Sequence, residues 1–147
     1  MAIEKTLTIL KPDCVTRGLM GKVIQRLEGA GFKIRAAKMV CLTAETAGGF
    51  YDVHREKPFF PELIEFMTSA PVLVMALERE NAVAALRELI GATNPREAKP
   101  GTVRRELAED KQRNIIHASD SPENAQIEIQ YFFSKYEQLL TTVENHG

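Results

Sequence analysis

The run Pro71-Val72-Leu73-Val74-Met75-Ala76-Leu77 leaves this chain few ways to fold. Its side chains are apolar in succession rather than in alternation, the pattern of a buried strand. Such a run belongs in the middle of a sheet. Thr6–Leu10 is partly alternating and rich in β-formers, and it reads as a first strand that stops at Lys11-Pro12-Asp13. Phe32–Leu42 reads as a second strand, with Ile34, Ala36, Met39 and Val40 inward. Ile115-Ile116 reads as the end of another buried strand.

Helical signals fall between these strands. Met20, Val23, Ile24 and Leu27 share a face, and Gly29 and Gly31 end that helix. Asn81 stands as the cap of a helix to Ile90, with Val83, Leu86, Leu89 and Ile90 inward. Thr43 opens a short helix carrying Phe50 and Tyr51, with Thr46 at capping-box spacing. Pro58-Phe59-Phe60-Pro61 then interrupts the helical stretch, and another helix follows over Glu62–Thr68. Thr102–Ala108 gives a single turn. Ser121 is a good N-cap with Pro122 behind it at the first helical position. The helix they start is expected to run through Tyr136, with Ile127 and Tyr131 also on its apolar face. The order strand, helix, strand, inserted helical pair, strand, helix, strand predicts an α+β, ferredoxin-like βαββαβ sandwich. It would be a four-stranded antiparallel sheet with helices on one face.

With 147 residues, 44% hydrophobic and 27% charged, the chain suits one globular domain over residues 1–147. A net charge of −1 offers no global electrostatic footprint for nucleic acid or an anionic membrane. An RRM-type RNA-binding sheet is disfavoured further, because Pro71–Leu77 carries no aromatic for base stacking. Cys14 and Cys41 have neither zinc nor CxxC spacing and fit reduced thiols in a cytoplasmic protein. The opening MAIEKTLTIL carries charges where a signal peptide would be apolar, and no run reaches membrane-span length. Neither GxxxxGK[ST] nor GxGxxG occurs, which argues against P-loop, Rossmann and protein-kinase readings.

Chemistry concentrates in Asn114–Ser121, NIIHASDS. His117 follows the strand end and precedes a helix start, with Glu128 on that helix, a placement suited to nucleophilic or acid–base work and also found in purely structural histidines. Lys11, at the end of the first strand, is either a solvated side chain or a cation projecting into a cleft. Tyr51 and Phe59 are either core or a cleft wall, where Phe59 would offer a flat face to a base. Arg87, Thr93 and Arg104 sit at helix and loop edges, as guanidinium and hydroxyl donors for phosphate or as ordinary surface. His54 reads as a surface residue.

NIIHASDS resembles the active-site signature of nucleoside diphosphate kinases, with Ala118 where that family usually has Gly. TLTILKPD, GFYDVHREKPFF and GATNPREAKPGTVRRELA resemble further segments of the same family in the same order, so the likeness spans residues 3 to about 137. Arg105, Leu107 and Lys111 depart from its common pattern. The resemblance implies transfer of the γ-phosphoryl group of a nucleoside triphosphate, mainly ATP, to a nucleoside diphosphate by a ping-pong route through phosphorylated His117. It implies that Glu128 orients the imidazole and that Ser119 supports Glu128. Lys11, Tyr51, Arg87, Thr93, Arg104 and Asn114 would bind phosphates and sugar, Phe59 would stack on the base, and Mg²⁺ would be held mainly by the phosphates rather than by protein ligands. It also implies a homo-oligomer, a hexamer in preference to a tetramer. The rival reading is a catalytically silent nucleotide-binding module of the same fold, whose mark would be a missing histidine or phosphate ligand.

Overall fold

The computed structural model describes residues 3–138, so both ends of the expected 1–147 domain lie outside the described residues. The strands are β1 (Ile3–Leu10), β2 (Lys33–Val40), β3 (Val72–Glu80) and β4 (Ile116–Ala118). The helices are α1 (Pro12–Thr16), α2 (Met20–Gly29), α3 (Ala44–Phe50), α4 (Phe60–Met67), α5 (Ala82–Ile90), α6 (Val103–Leu107), α7 (Pro122–Phe132) and α8 (Lys135–Gln138). The sheet order is β2-β3-β1-β4 and every pairing is antiparallel, the βαββαβ arrangement with α3 and α4 as the inserted pair.

Helices cover both faces of this sheet rather than one. Leu10, Leu73, Met75 and Leu77 meet Val23 and Leu27 of α2 and Leu86 and Ile90 of α5. Leu7, Ile9, Val74 and Ala76 meet Ala47 of α3, Met67 of α4 and Ile129 of α7 on the other side. Two covered faces explain why β3 is apolar without alternation. β2 carries a register shift between Ile34 and Ala36, so Ile34 packs with the first cluster and Ala36 with the second. One extra residue reverses which face the following side chains meet. Met39, expected inward, is 49% exposed.

Two helix ends also depart from expectation. Asn81 stands at the start of α5 in the left-handed region and makes no side-chain cap. Instead Glu4 Oε1, reaching from β1, accepts the Val83 N–H at 2.8 Å. Helix α7 does begin with the Ser121 side chain accepting from Asn124 N–H, yet it stops at Phe132. Its buried face is Ala125, Ile129 and the following Phe133, while Ile127, Tyr131 and Tyr136 are exposed. Phe133 departs from helical backbone, which breaks the expected run to Tyr136 into α7 and α8.

Candidate active site

β4 pairs with β1 through Thr8–Ala118, Ile9–His117 and Leu10–Ile116. Strand alternation then sends Ile116 and Ala118 into the α2–α5 core and leaves His117 on the opposite face. His117 is therefore the middle of a short edge strand, not the residue after its end. The His117 Nε2 lies 2.8 Å from Glu128 Oε1, and Ser119 Oγ donates to the same oxygen at 2.8 Å. A carboxylate accepting from Nε2–H fixes that tautomer and leaves the lone pair on Nδ1. The Phe50 ring packs edge-on against the imidazole, with centroids 5.2 Å apart.

The cationic side of the site is built from strand and loop ends. Lys11 Nζ donates to Asn114 Oδ1 at 2.7 Å. Asn114 Nδ2 donates to the carbonyls of Lys111 at 2.9 Å and Thr93 at 3.2 Å, so both ends of its amide are fixed. Burial, helped by the nearby Arg104 charge, lowers the Lys11 ammonium to about 8. Arg104 is itself buried, with its guanidinium donating to the carbonyls of Ile116 at 2.6 Å, Gly91 at 3.1 Å and Asn114 at 3.3 Å. Burial first and then the charge of Arg87 lower it to about 10. Arg87 and Thr93 are exposed on the lining. Gly91, at φ +89°, lies where a Cβ would run into Thr102, and its carbonyl is the one Arg104 holds.

The aromatic side comes from the inserted helices. Tyr51 is buried beside His117, and its hydroxyl has no partner within the described residues. Burial first, then the Glu128 charge, push that phenol well above its ordinary range. Phe59 is 47% exposed, which settles against core for this side chain. His54 is not a free surface residue: it stacks on Tyr51 at 6.4 Å and leans on Phe59 at 5.4 Å. Residues 52–54 form a 3₁₀ turn, in which positions three apart eclipse, and that spacing was the available signal for His54 beside Tyr51.

All ten sequence candidates except Ser119 line one cavity of about 540 Å³, and Ser119 stands behind it on Glu128. A larger, more open groove of about 780 Å³ between α4 and residues 110–113 contains no histidine or cysteine. Among the described residues no group of three or more His, Cys, Asp or Glu could hold a metal ion.

One backbone feature was not legible. Ile115 has φ +76°, and Ile116 N–H donates to Asn114 O at 2.9 Å, closing a three-residue turn where a strand was expected to continue. A β-branched residue in that conformation costs of order 1–3 kcal/mol. Ala118, the departure from the usual glycine, has no positive φ and sits in β4.

Fold and site together define a ferredoxin-like α+β protein whose carboxylate-oriented histidine faces a cleft lined by Lys11, Arg87 and Arg104. A family model described as nucleoside diphosphate kinase matches residues 4–138. A nucleoside diphosphate kinase of Prosthecochloris aestuarii is 58% identical over 137 residues, covering 93% of this chain and 97% of the relative. The Nitratiruptor enzyme of that name is 53% identical, covering 93% of this chain and 100% of its own length. Among solved structures, the Aquifex aeolicus nucleoside diphosphate kinase superposes with a TM-score of 0.90 at 50% identity, covering 92% of this chain and 99% of that one. The Halobacterium salinarum nucleoside diphosphate kinase, solved in complex with CDP, does so at 0.89 and 39%, covering 92% and 91%. The chain belongs to the nucleoside diphosphate kinase family.

Proposed function

We infer that the chain is a phosphotransferase, a nucleoside diphosphate kinase that moves the γ-phosphoryl group of a nucleoside triphosphate, mainly ATP, to a nucleoside diphosphate. The carrying observation is the Nε2–Glu128 contact of 2.8 Å, which leaves a lone pair on Nδ1 of an imidazole lining a cationic cleft. Neutral His117 attacks the γ-phosphorus through Nδ1, and the nucleoside diphosphate leaves. The acceptor diphosphate then takes the phosphoryl group back from the nitrogen. Glu128 stabilises the charge that develops on the ring, and Ser119 holds Glu128 in place.

Phosphoryl transfer asks a protein for positioning and charge compensation more than for covalent work. Lys11, Arg87 and Arg104 supply cations. Thr93, Tyr51 and Asn114 supply neutral polar groups, and the orphaned Tyr51 hydroxyl is what an incoming phosphate oxygen would satisfy. Lys11 and Asn114, already joined at 2.7 Å, would meet the ribose hydroxyl. Half-exposed Phe59 takes the base by stacking, which is blind to base identity. Enzymes of this family generally use a divalent metal. Mg²⁺ fits this chain, because a lining without a three-ligand cage suits an ion that keeps its waters and binds through phosphates. The phosphates would hold it, with Asp120 the one lining carboxylate besides Glu128, and it would neutralise phosphate charge.

The chain is further proposed to act as a homo-oligomer, a hexamer rather than a tetramer, in the cytoplasm. The loop Ala92–Gly101 resembles the family segment around the hexamer threefold axis, and Arg105 stiffens it by donating to Ala98 O at 3.0 Å. No helix among the described residues is long and apolar enough to cross a membrane. Nucleotides are the partners; neither stable nucleic-acid binding nor membrane attachment is proposed.

Incubation with ATP alone tests the function. One ADP per subunit should appear in a burst, with phosphate on His117 that is stable in base and labile in acid. His117→Gln should abolish the burst and the turnover. Phosphate on a residue other than His117 would overturn the mechanism, and no burst at all would favour the silent nucleotide-binding module.

A further inference from the structure

Among the described residues only Asn81 and Ile115 combine a side chain with positive φ, and Ile115 is β-branched and fully buried. Asn tolerates that region; isoleucine does not. Something must hold Ile115 there. Its carbonyl accepts Lys11 N–H at 2.8 Å, and its N–H donates to Asp13 Oδ2 at 3.0 Å. The two neighbouring carbonyls, of Asn114 and Ile116, are held by Arg104. Asp13 is 6% exposed, and its other oxygen has no partner within the described residues. Burying a carboxylate is costly: burial pushes its protonation upward even against the Ile115 N–H and the Lys11 charge, both of which favour the anion. A helix-start aspartate on the surface would avoid that cost.

The strained residue stands between Asn114, which meets Lys11, and the short strand that carries His117. If the Ile115 N–H lost its acceptor, a buried donor would stand unpaired, and rotating the peptide would relieve both that and the positive φ. The rotation would carry Asn114 and the start of β4 with it. We propose that Asp13 is a positioning residue of this active site: its carboxylate holds Ile115 in the left-handed turn from which Asn114 and His117 both reach the cleft. The proposal rests on the reading of His117 as the nucleophile.

The test is the rate of His117 phosphorylation by ATP, measured with kcat and KM in Asp13→Ala, Asp13→Asn, Ile115→Gly and Asp13→Ala/Ile115→Gly. Asp13→Ala should slow phosphorylation about 10- to 100-fold, because small misplacements of reacting groups cost that much. Asp13→Asn keeps an oxygen acceptor for the Ile115 N–H and should stay within about threefold of the parent. Glycine adopts positive φ freely, so the double variant should recover most of the loss, roughly to within threefold of Ile115→Gly alone. Hydrogen exchange of the Ile115 amide should quicken in Asp13→Ala and not in Asp13→Asn. Parent-like kinetics in Asp13→Ala, an Asp13→Asn as slow as Asp13→Ala, or additive effects in the double variant would overturn the proposal. If Asp13→Ala does not fold, a cooperative transition regained by the double variant supports the role and its absence overturns it. A parent chain that never acquires phosphate on His117 would sink the functional reading instead, and the Ile115 exchange rates would then decide the positioning role alone.

Discussion

In the proposed mechanism the chemistry of His117 turns on Glu128. Its Oε1 receives both the imidazole and the Ser119 hydroxyl at 2.8 Å, so replacing it by glutamine removes the charge that stabilises an imidazolium while keeping the shape. Glu128→Gln should slow phosphorylation by about 10- to 10³-fold with little change in KM, the pattern of an interaction made mainly in the transition state. A stopped-flow trace of the burst checks this, and an unchanged rate constant would remove Glu128 from the mechanism. Ala118 is the opposite case. Because it lies in β4 with ordinary backbone and pairs with Thr8, a glycine there gains nothing sterically. Ala118→Gly should change kcat by less than about tenfold, under about 1.4 kcal/mol in the barrier.

At the scale of elements, the cleft depends on how the inserted helices dock on α7. The Tyr131 hydroxyl donates to Thr46 O at 2.8 Å, and it lies so close to Gly49 that a Cβ there would collide with it. Gly49→Ala should push the hydroxyl off its acceptor and cost about 0.5–1.5 kcal/mol, the net worth of one such bond. Tyr131→Phe should cost a similar amount, and the double variant should cost less than the two added together. Urea melts of the four proteins give the coupling, and strict additivity would mean that Gly49 and Tyr131 do not share this contact.

For the whole molecule, the most telling pH effect belongs to Lys11, the cation buried at the meeting of β1, α1 and the Asn114 turn. Burial lowers it from 10.5 to about 8, so the folded chain holds this proton less tightly than the unfolded chain does. The unfolded state therefore binds more protons between pH 8 and 10.5, and the Lys11 contribution to stability grows as pH rises through that window. Phosphate binding moves the other way, since the charged form is the one that attracts it. The Kd for ADP should rise between pH 8 and 10, and Lys11→Met should lose most of that dependence. The melting temperature of the parent should meanwhile climb relative to Lys11→Met over the same range. Parallel pH profiles for the two proteins would contradict both halves. Assembly is the other whole-molecule expectation: light scattering at micromolar concentration should give the mass of a hexamer. A tetramer would overturn only the number of subunits, and a monomer would overturn assembly itself.

Local chemistry already determined a good deal. The unbroken apolarity of Val72–Leu77 required a central, buried strand, and caps such as Ser121 with Pro122 set where α7 starts, because those signals act over a few residues. The ten candidate side chains were legible as types at spacings, and all but Ser119 meet at one cavity. Tertiary structure decided what depends on distant partners. It placed Glu128 against His117, put helices on both faces of the sheet, and left Ile129 rather than Ile127 inward on α7. It also drew His54 into the cleft wall and let Glu4, not Asn81, cap α5. The left-handed Ile115 is the extreme instance. No local preference favours it, and it persists because Lys11 and Asp13, over 100 residues away in sequence, meet its backbone with a hydrogen bond on each side.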